Sequence, residues 1–148
     1  MTTQQSTGRF TPSSWDESVV ADIDGTGTTK NDTYYPDRGI TSAKVGYNYS
    51  GDIEGSGEAS YYFAYRDSKA GHADIIGYER FTGTIGDLKG TCVFRHTGKY
   101  EDGAVSDHVE VLEGLGTEGL ADLKGSADIT MAGAPPEGGY EFKLSYEA

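Results

Sequence analysis

Three apolar-alternating runs in immediate succession, from Ile75 to Val111, constrain this chain more than any other feature. In a strand the side chains alternate between two faces, so these runs specify a sheet with one greasy side. Their connections specify the register. Asp102-Gly103 is the strongest hairpin dipeptide in the sequence, and Gly86-Asp87 is a second candidate two-residue turn. A turn at Gly86-Asp87 sets Phe94 opposite Glu79 and His96 opposite Gly77. A turn at Asp102-Gly103 sets Val109 opposite His96, Val111 opposite Phe94 and Asp107 opposite Gly98. Both registers give one common face: Ile75, Glu79, Phe81, Cys92, Phe94 and His96 share it with Val105, Asp107, Val109 and Val111. That face is mostly apolar and is expected to be buried. On it His96 stands diagonally from both Glu79 and Asp107, at about 7–8 Å, a span that long side chains bridge.

The rest of the chain repeats the strand pattern. Arg9 to Glu17 reads as a first strand whose Pro12 suggests an edge or a seam, with Trp15 as a core or rim anchor. Residues 1–7 are polar and expected to fray. Residues 31–41 read as a long surface loop, a candidate lid or an ordinary connection. Ala43 to Ser50 puts Val45, Tyr47 and Tyr49 on one face. In Glu58 to Tyr65, Ala59, Tyr61, Phe63 and Tyr65 form the more apolar face; a one-residue slip would exchange its sides, and hydrophobicity alone places the aromatic side inward. The stretches 84–91 and 119–126 echo each other and are expected to form equivalent corners with a short helical turn. Ala127, Ile129 and Met131 face one way, 135–139 turns the chain, and a last strand places Tyr140, Phe142, Leu144 and Tyr146 inward.

Seven or eight strands joined in sequence order, with 22 glycines and 11 tyrosines and almost no helix-forming stretch, point to one all-β domain over 1–148. An up-and-down antiparallel sheet of this size hides its edges by closing into a barrel. About eight strands enclose just enough room for a small ligand.

Charge and cysteine content narrow the partners. With 24 acidic and 12 basic residues, a net charge of −12, the chain repels phosphate backbones and anionic membranes, so neither nucleic acid nor membrane is an expected partner. One cysteine excludes an internal disulfide and suits a reducing compartment. The beginning MTTQQSTGRF has no signal-peptide pattern and no run is long enough to span a membrane, so a cytoplasmic location is expected. Asp22-Ile23-Asp24-Gly25 suggests a calcium loop, but Thr33 occupies the position of its bidentate glutamate. No metal or cofactor is expected.

Several motifs together resemble a known family. They are Gly51-Asp52-Ile53-Glu54-Gly55, then 61–65, Gly77-Tyr78-Glu79-Arg80-Phe81-Thr82-Gly83, Arg95-His96-Thr97-Gly98 with Glu101-Asp102-Gly103, and 114–120. In order and spacing they are similar to small bacterial proteins of a domain-of-unknown-function family whose fold resembles the allene oxide cyclase barrel. The resemblance spans about residues 8–147 and implies an antiparallel barrel, with no established activity. The chain departs from that pattern at Val109, where a tryptophan is expected, at Glu113 for a proline, and at Leu115 for a serine. Valine for tryptophan either enlarges a cavity or is absorbed by neighbouring aromatics.

A candidate site follows from the buried polar groups. An ionised carboxylate on an apolar face must be paired, wetted or protonated. Glu79, His96 and Asp107 are therefore candidate catalytic residues, or alternatively a structural Glu–His or Glu–Arg pair involving Arg80 or Arg95. Candidate ligand contacts are Tyr47, Tyr49, Tyr61, Phe63 and Tyr65, with Phe81, Cys92, Phe94, Val109, Tyr140 and Phe142. Cys92 reads more readily as a small buried hydrophobe than as a nucleophile, and His72 and His108 read as surface residues. The leading expectation is a barrel that binds a small apolar or amphipathic molecule and promotes its isomerisation or cyclisation. The alternatives are a carrier or sensor barrel and a packed structural barrel. A homo-oligomer is compatible with each.

Overall fold

Closure follows from the order in which the strands pair. The computed structural model describes residues 3–132 and 136–148, and contains eleven strands and no helix among them. These are β1 (Gln4–Asp22), β2 (Gly27–Lys30), β3 (Thr33–Pro36), β4 (Gly39–Gly51), β5 (Ile53–Asp67) and β6 (His72–Ile85). The remainder are β7 (Leu88–Glu101), β8 (Ala104–Val111), β9 (Thr117–Glu118), β10 (Lys124–Ala132) and β11 (Tyr140–Glu147). The main sheet runs β6-β5-β4-β1-β11-β10-β8-β7, and β6 also pairs with β7, so these eight antiparallel strands form a closed ring. β9 is an extra strand added to β7, and β2–β3 is a separate hairpin.

The central registers are those the turns dictate. Glu79 pairs with Phe94 and Gly77 with His96 across β6–β7; His96 pairs with Val109 and Gly98 with Asp107 across β7–β8. At Gly86-Asp87 the chain turns in two residues, with Gly86 at φ 60°, as a mirror-image turn with glycine first requires. At Asp102-Gly103 both residues are left-handed, at φ 52° and 83°. β5 pairs Ala59 with Glu79 and Tyr61 with Gly77, which turns its aromatic side inward.

Three local expectations are corrected, and one at Pro12 holds. Strand β1 begins at Gln4 and pairs there with β11, so residues 4–7 are not frayed; residues 1 and 2 lie outside the described set. Residues 31–41 are not a loop: Asn31 and Asp32 form a tight turn at φ 51° and 65° between β2 and β3, and β4 has begun by Gly39. The edge or seam expected at Pro12 is present: past Phe10, the last β1 residue paired with β11, β1 pairs only with β4, with an irregularity between Pro12 and Ser14. The two echoing corners differ, and neither is helical. The first joins adjacent strands by a two-residue turn, whereas in the second β9 pairs along β7 and four turn residues lead into β10. Of the turn expected at 135–139, residue 135 is outside the described set, and Gly139 N–H donates to the Pro136 carbonyl.

The interior is built in two halves. At one end Ile53, Ile85, Phe81, Cys92 and Phe94 are wholly buried, and the turns after β9 press Leu120 and Leu123 into the same cluster. Burying each such side chain contributes about 1.5–3 kcal/mol, so this end is a solid core. At the other end, where β4 and β8 begin and β5 ends, the interior is hollow.

Candidate functional site

Three neighbouring strands deliver one polar group each to the middle of the barrel. Glu79 from β6, His96 from β7 and Asp107 from β8 are all buried, at 0%, 3% and 8% exposure. His96 Nε2 lies 2.7 Å from Glu79 Oε1, and its Nδ1 lies 2.6 Å from Asp107 Oδ2. Glu79 Oε2 accepts a further hydrogen bond from the Tyr49 hydroxyl. Tyr47 and Tyr61 share a hydrogen bond of 2.8 Å, and the Tyr61 ring stands edge-on to the imidazole at 5.3 Å. Arg80 is exposed, and Arg95 pairs outside the barrel with Glu110, so the buried carboxylates find their partner in His96.

Glycines make room for these groups. A methyl group at Gly57 would stand 2.8 Å from the Glu79 carboxyl carbon and closer still to Oε2. At Gly98 it would stand 3.2 Å from Asp107 Oδ1, and at Gly77 it would meet the Tyr61 backbone at 3.1 Å and its ring closer still. Gly77 and Gly98 are also the cross-strand partners of His96 and Asp107. Each polar side chain thus leans over a bare stretch of the neighbouring strand.

The electrostatics follow from this packing. Burial works against a charged imidazole, but the hydrogen bonds to Asp107 and Glu79 and their charges outweigh it, raising His96 to about 9. At neutral pH His96 is an imidazolium donating from both nitrogens. Burial, with the Glu79 charge adding to it, pushes the Tyr49 and Tyr61 hydroxyls far up, and burial does the same to Tyr47. The Cys92 thiol rises to about 12 for the same reasons, so it is no nucleophile at neutral pH. One acceptor is left over: Asp107 Oδ1 is buried and has no hydrogen-bond partner among the described residues.

Above this floor lie two chambers. The inner one, about 100 Å³, is walled by Phe10, Tyr47, Tyr49, Tyr61 and Phe142, with Glu79, His96 and Asp107 at its base. The outer one, about 540 Å³, opens at the hollow end between Tyr65, Ala73, Tyr100 and the β2–β3 hairpin, which supplies Tyr35. Trp15, Phe63, Ile75 and Val105 belong to both walls, so the chambers meet end to end. Trp15 is half exposed and stacks on Phe63 at 5.9 Å, which makes it a rim residue.

Of the residues expected from sequence to contact a ligand, Tyr47, Tyr49, Tyr61, Phe63 and Phe142 line the inner chamber and Tyr65 the outer. Phe81, Cys92, Phe94 and Val109 are wholly buried and belong to neither wall; Tyr140 packs on Phe10 outside both. The valine at position 109 therefore opens no space into either chamber. Residues the sequence reading did not place at the site include Phe10, Glu17, Tyr35 and Met131. Glu17 accepts hydrogen bonds from Tyr65, Thr41 and Trp15 at the mouth. His72 and His108 lie outside the site and engage surface carboxylates, and no three-ligand metal cluster occurs among the described residues. Asp22 and Asp24 are held by Tyr34, Gly25 and Arg38.

No curated protein matches this sequence. In fold it is similar to the crystal structure of a protein of unknown function from the DUF3224 family of Shewanella oneidensis MR-1, with a TM-score of 0.69 and 18% identity over 99% of this chain and 98% of that one. The family model described as "Protein of unknown function (DUF3224)" matches residues 6–144, and the chain belongs to that family.

Proposed function

We propose that this protein binds a small apolar or amphipathic molecule inside its barrel, with the body of the ligand among the aromatic walls and a polar head at the Glu79–His96–Asp107 floor. The observation that carries this reading is the pair of adjoining chambers, the inner one with Glu79, His96 and the incompletely hydrogen-bonded Asp107 in its wall. A packed structural barrel has no use for either. The outer chamber falls in the usual size range of small-molecule sites.

A second reading, isomerisation or cyclisation of the bound molecule, is favoured by the state of the same Asp107 carboxylate. Both nitrogens of His96 are engaged, so the hydrogen-bonding capacity left at the floor lies on Asp107 Oδ1. The aromatic walls would hold a flexible substrate in a reactive conformer, and a placed base is worth about 10²–10⁴ in rate.

The test of binding uses the neutral fluorescent probe N-phenyl-1-naphthylamine. Its emission rises in an apolar cavity, and Trp15 on the chamber wall is the protein's single tryptophan and a donor for energy transfer. Saturable enhancement in the wild type, lost in Val105→Phe, which fills the junction of the chambers, is the expected result. Enhancement that survives Val105→Phe in a folded protein refutes binding in the barrel.

A further inference from the structure

We infer that the ligand carries a cationic head, a primary or secondary ammonium group on an aromatic or alkyl body. The inference rests on the binding reading above and names the class of molecule that the floor selects.

Three observations point to a cation. The first is charge. At the floor, two carboxylates face one imidazolium, leaving one negative charge in a site shielded from water. A buried charge is screened far less than a surface one, so the floor attracts a cation and repels a carboxylate. Glu17 adds a second uncompensated carboxylate at the mouth, since its partners are the neutral groups of Tyr65, Thr41 and Trp15.

The second is hydrogen-bonding capacity. Asp107 Oδ1 lacks a donor among the described residues, and its side chain, more than nine-tenths buried, belongs to the wall of the inner chamber. Every charged donor at the floor is already engaged, His96 at both nitrogens. What the floor lacks is a donor, and an ammonium head supplies up to three.

The third is the wall. Tyr47, Tyr61, Phe63 and Trp15 line the path to Asp107, with Phe63 stacked on Tyr61 at 5.6 Å and on Trp15 at 5.9 Å. Aromatic faces attract a cation by about 0.5–2 kcal/mol each, the larger value when desolvated. Lys30 and Lys69 do not reverse this balance, because both are exposed at the outer rim, where water and salt screen them.

The experiment is displacement of bound N-phenyl-1-naphthylamine by three molecules of matched shape: 3-phenylpropylamine, 3-phenylpropan-1-ol and 3-phenylpropionate. The amine is expected to displace at least tenfold more tightly than the alcohol, and the carboxylate more weakly than either. In Asp107→Asn the amine-to-alcohol ratio should fall toward one. If the variant does not fold, the wild-type ranking decides alone. An alcohol equal to the amine, or a carboxylate that binds best, overturns the cationic head while the chamber reading stands. Failure of the wild type to bind the probe at all removes both. An unchanged ratio in folded Asp107→Asn overturns the role of that oxygen.

Discussion

Replacing Gly57 with alanine tests whether the polar floor depends on the bare strand beside it. Gly57 has no left-handed backbone angle, so in an ordinary strand the added methyl would stabilise by about 0.5–1 kcal/mol through the unfolded chain. Here that methyl would stand 2.8 Å from the Glu79 carboxyl carbon, and Glu79 is wholly buried with both oxygens engaged. The carboxylate has to move, and it loses its hydrogen bonds to Tyr49 and His96. Hydrogen bonds to charged groups contribute about 1.5–3 kcal/mol each, so Gly57→Ala should destabilise by about 2–5 kcal/mol after the strand gain is subtracted. The assay is urea unfolding of the wild type, Gly57→Ala, Glu79→Ala and the double variant. Glu79→Ala alone leaves the imidazolium without one partner and should cost about 3–5 kcal/mol. Once the carboxylate is gone, alanine at 57 should become neutral or stabilising, giving a coupling of about 2–6 kcal/mol between the two sites. An equal cost for Gly57→Ala in both backgrounds would refute the steric link between this glycine and the floor.

Two further outcomes are expected. The folded-state value of His96, about 9, lies above its unfolded value of 6.5, so its contribution is fully present below about pH 6.5 and is lost as pH rises through about 9. The shift corresponds to about 3 kcal/mol, and unfolding midpoints at pH 6 and pH 9.5 should differ accordingly in the wild type and much less in His96→Gln. Tyr49→Phe removes the hydroxyl that donates to Glu79 and should cost about 1.5–3 kcal/mol in urea unfolding, whereas Tyr62→Phe on the exposed face should change stability by less than about 0.5 kcal/mol.

The legible part of the fold was what local turn chemistry and period-two alternation determine. Gly86-Asp87 and Asp102-Gly103 each admit one tight turn, and from these the pairings of Glu79, His96 and Asp107 follow by counting. The closed ring followed because closure is the way an up-and-down sheet of consecutive strands best hides its edges. The β2–β3 hairpin was missed because Asn31-Asp32 lacks the glycine that usually marks such a turn, although both residue types tolerate the left-handed conformation they adopt. The echoing corners at 84–91 and 119–126 diverge because nearly the same residues connect neighbouring strands in one case and skirt β7 on the way to β10 in the other. The site was legible as a constellation but not as a volume. Nothing in the spacing of Phe81, Phe94, Tyr61 and Phe63 separates the first two, which fill the solid end, from the last two, which wall the chamber. That division is set by how side chains from all eight strands share the lumen, information spread over the whole chain.

The solid end contributed by Leu120, Leu123, Ile53 and Ile85 closes the lumen at that end. A guest that enters beside Trp15 meets that closed end and not a second mouth there. A long guest would therefore be gauged by the tip that touches bottom, while the remainder trails past Tyr35 and Tyr100 unmeasured.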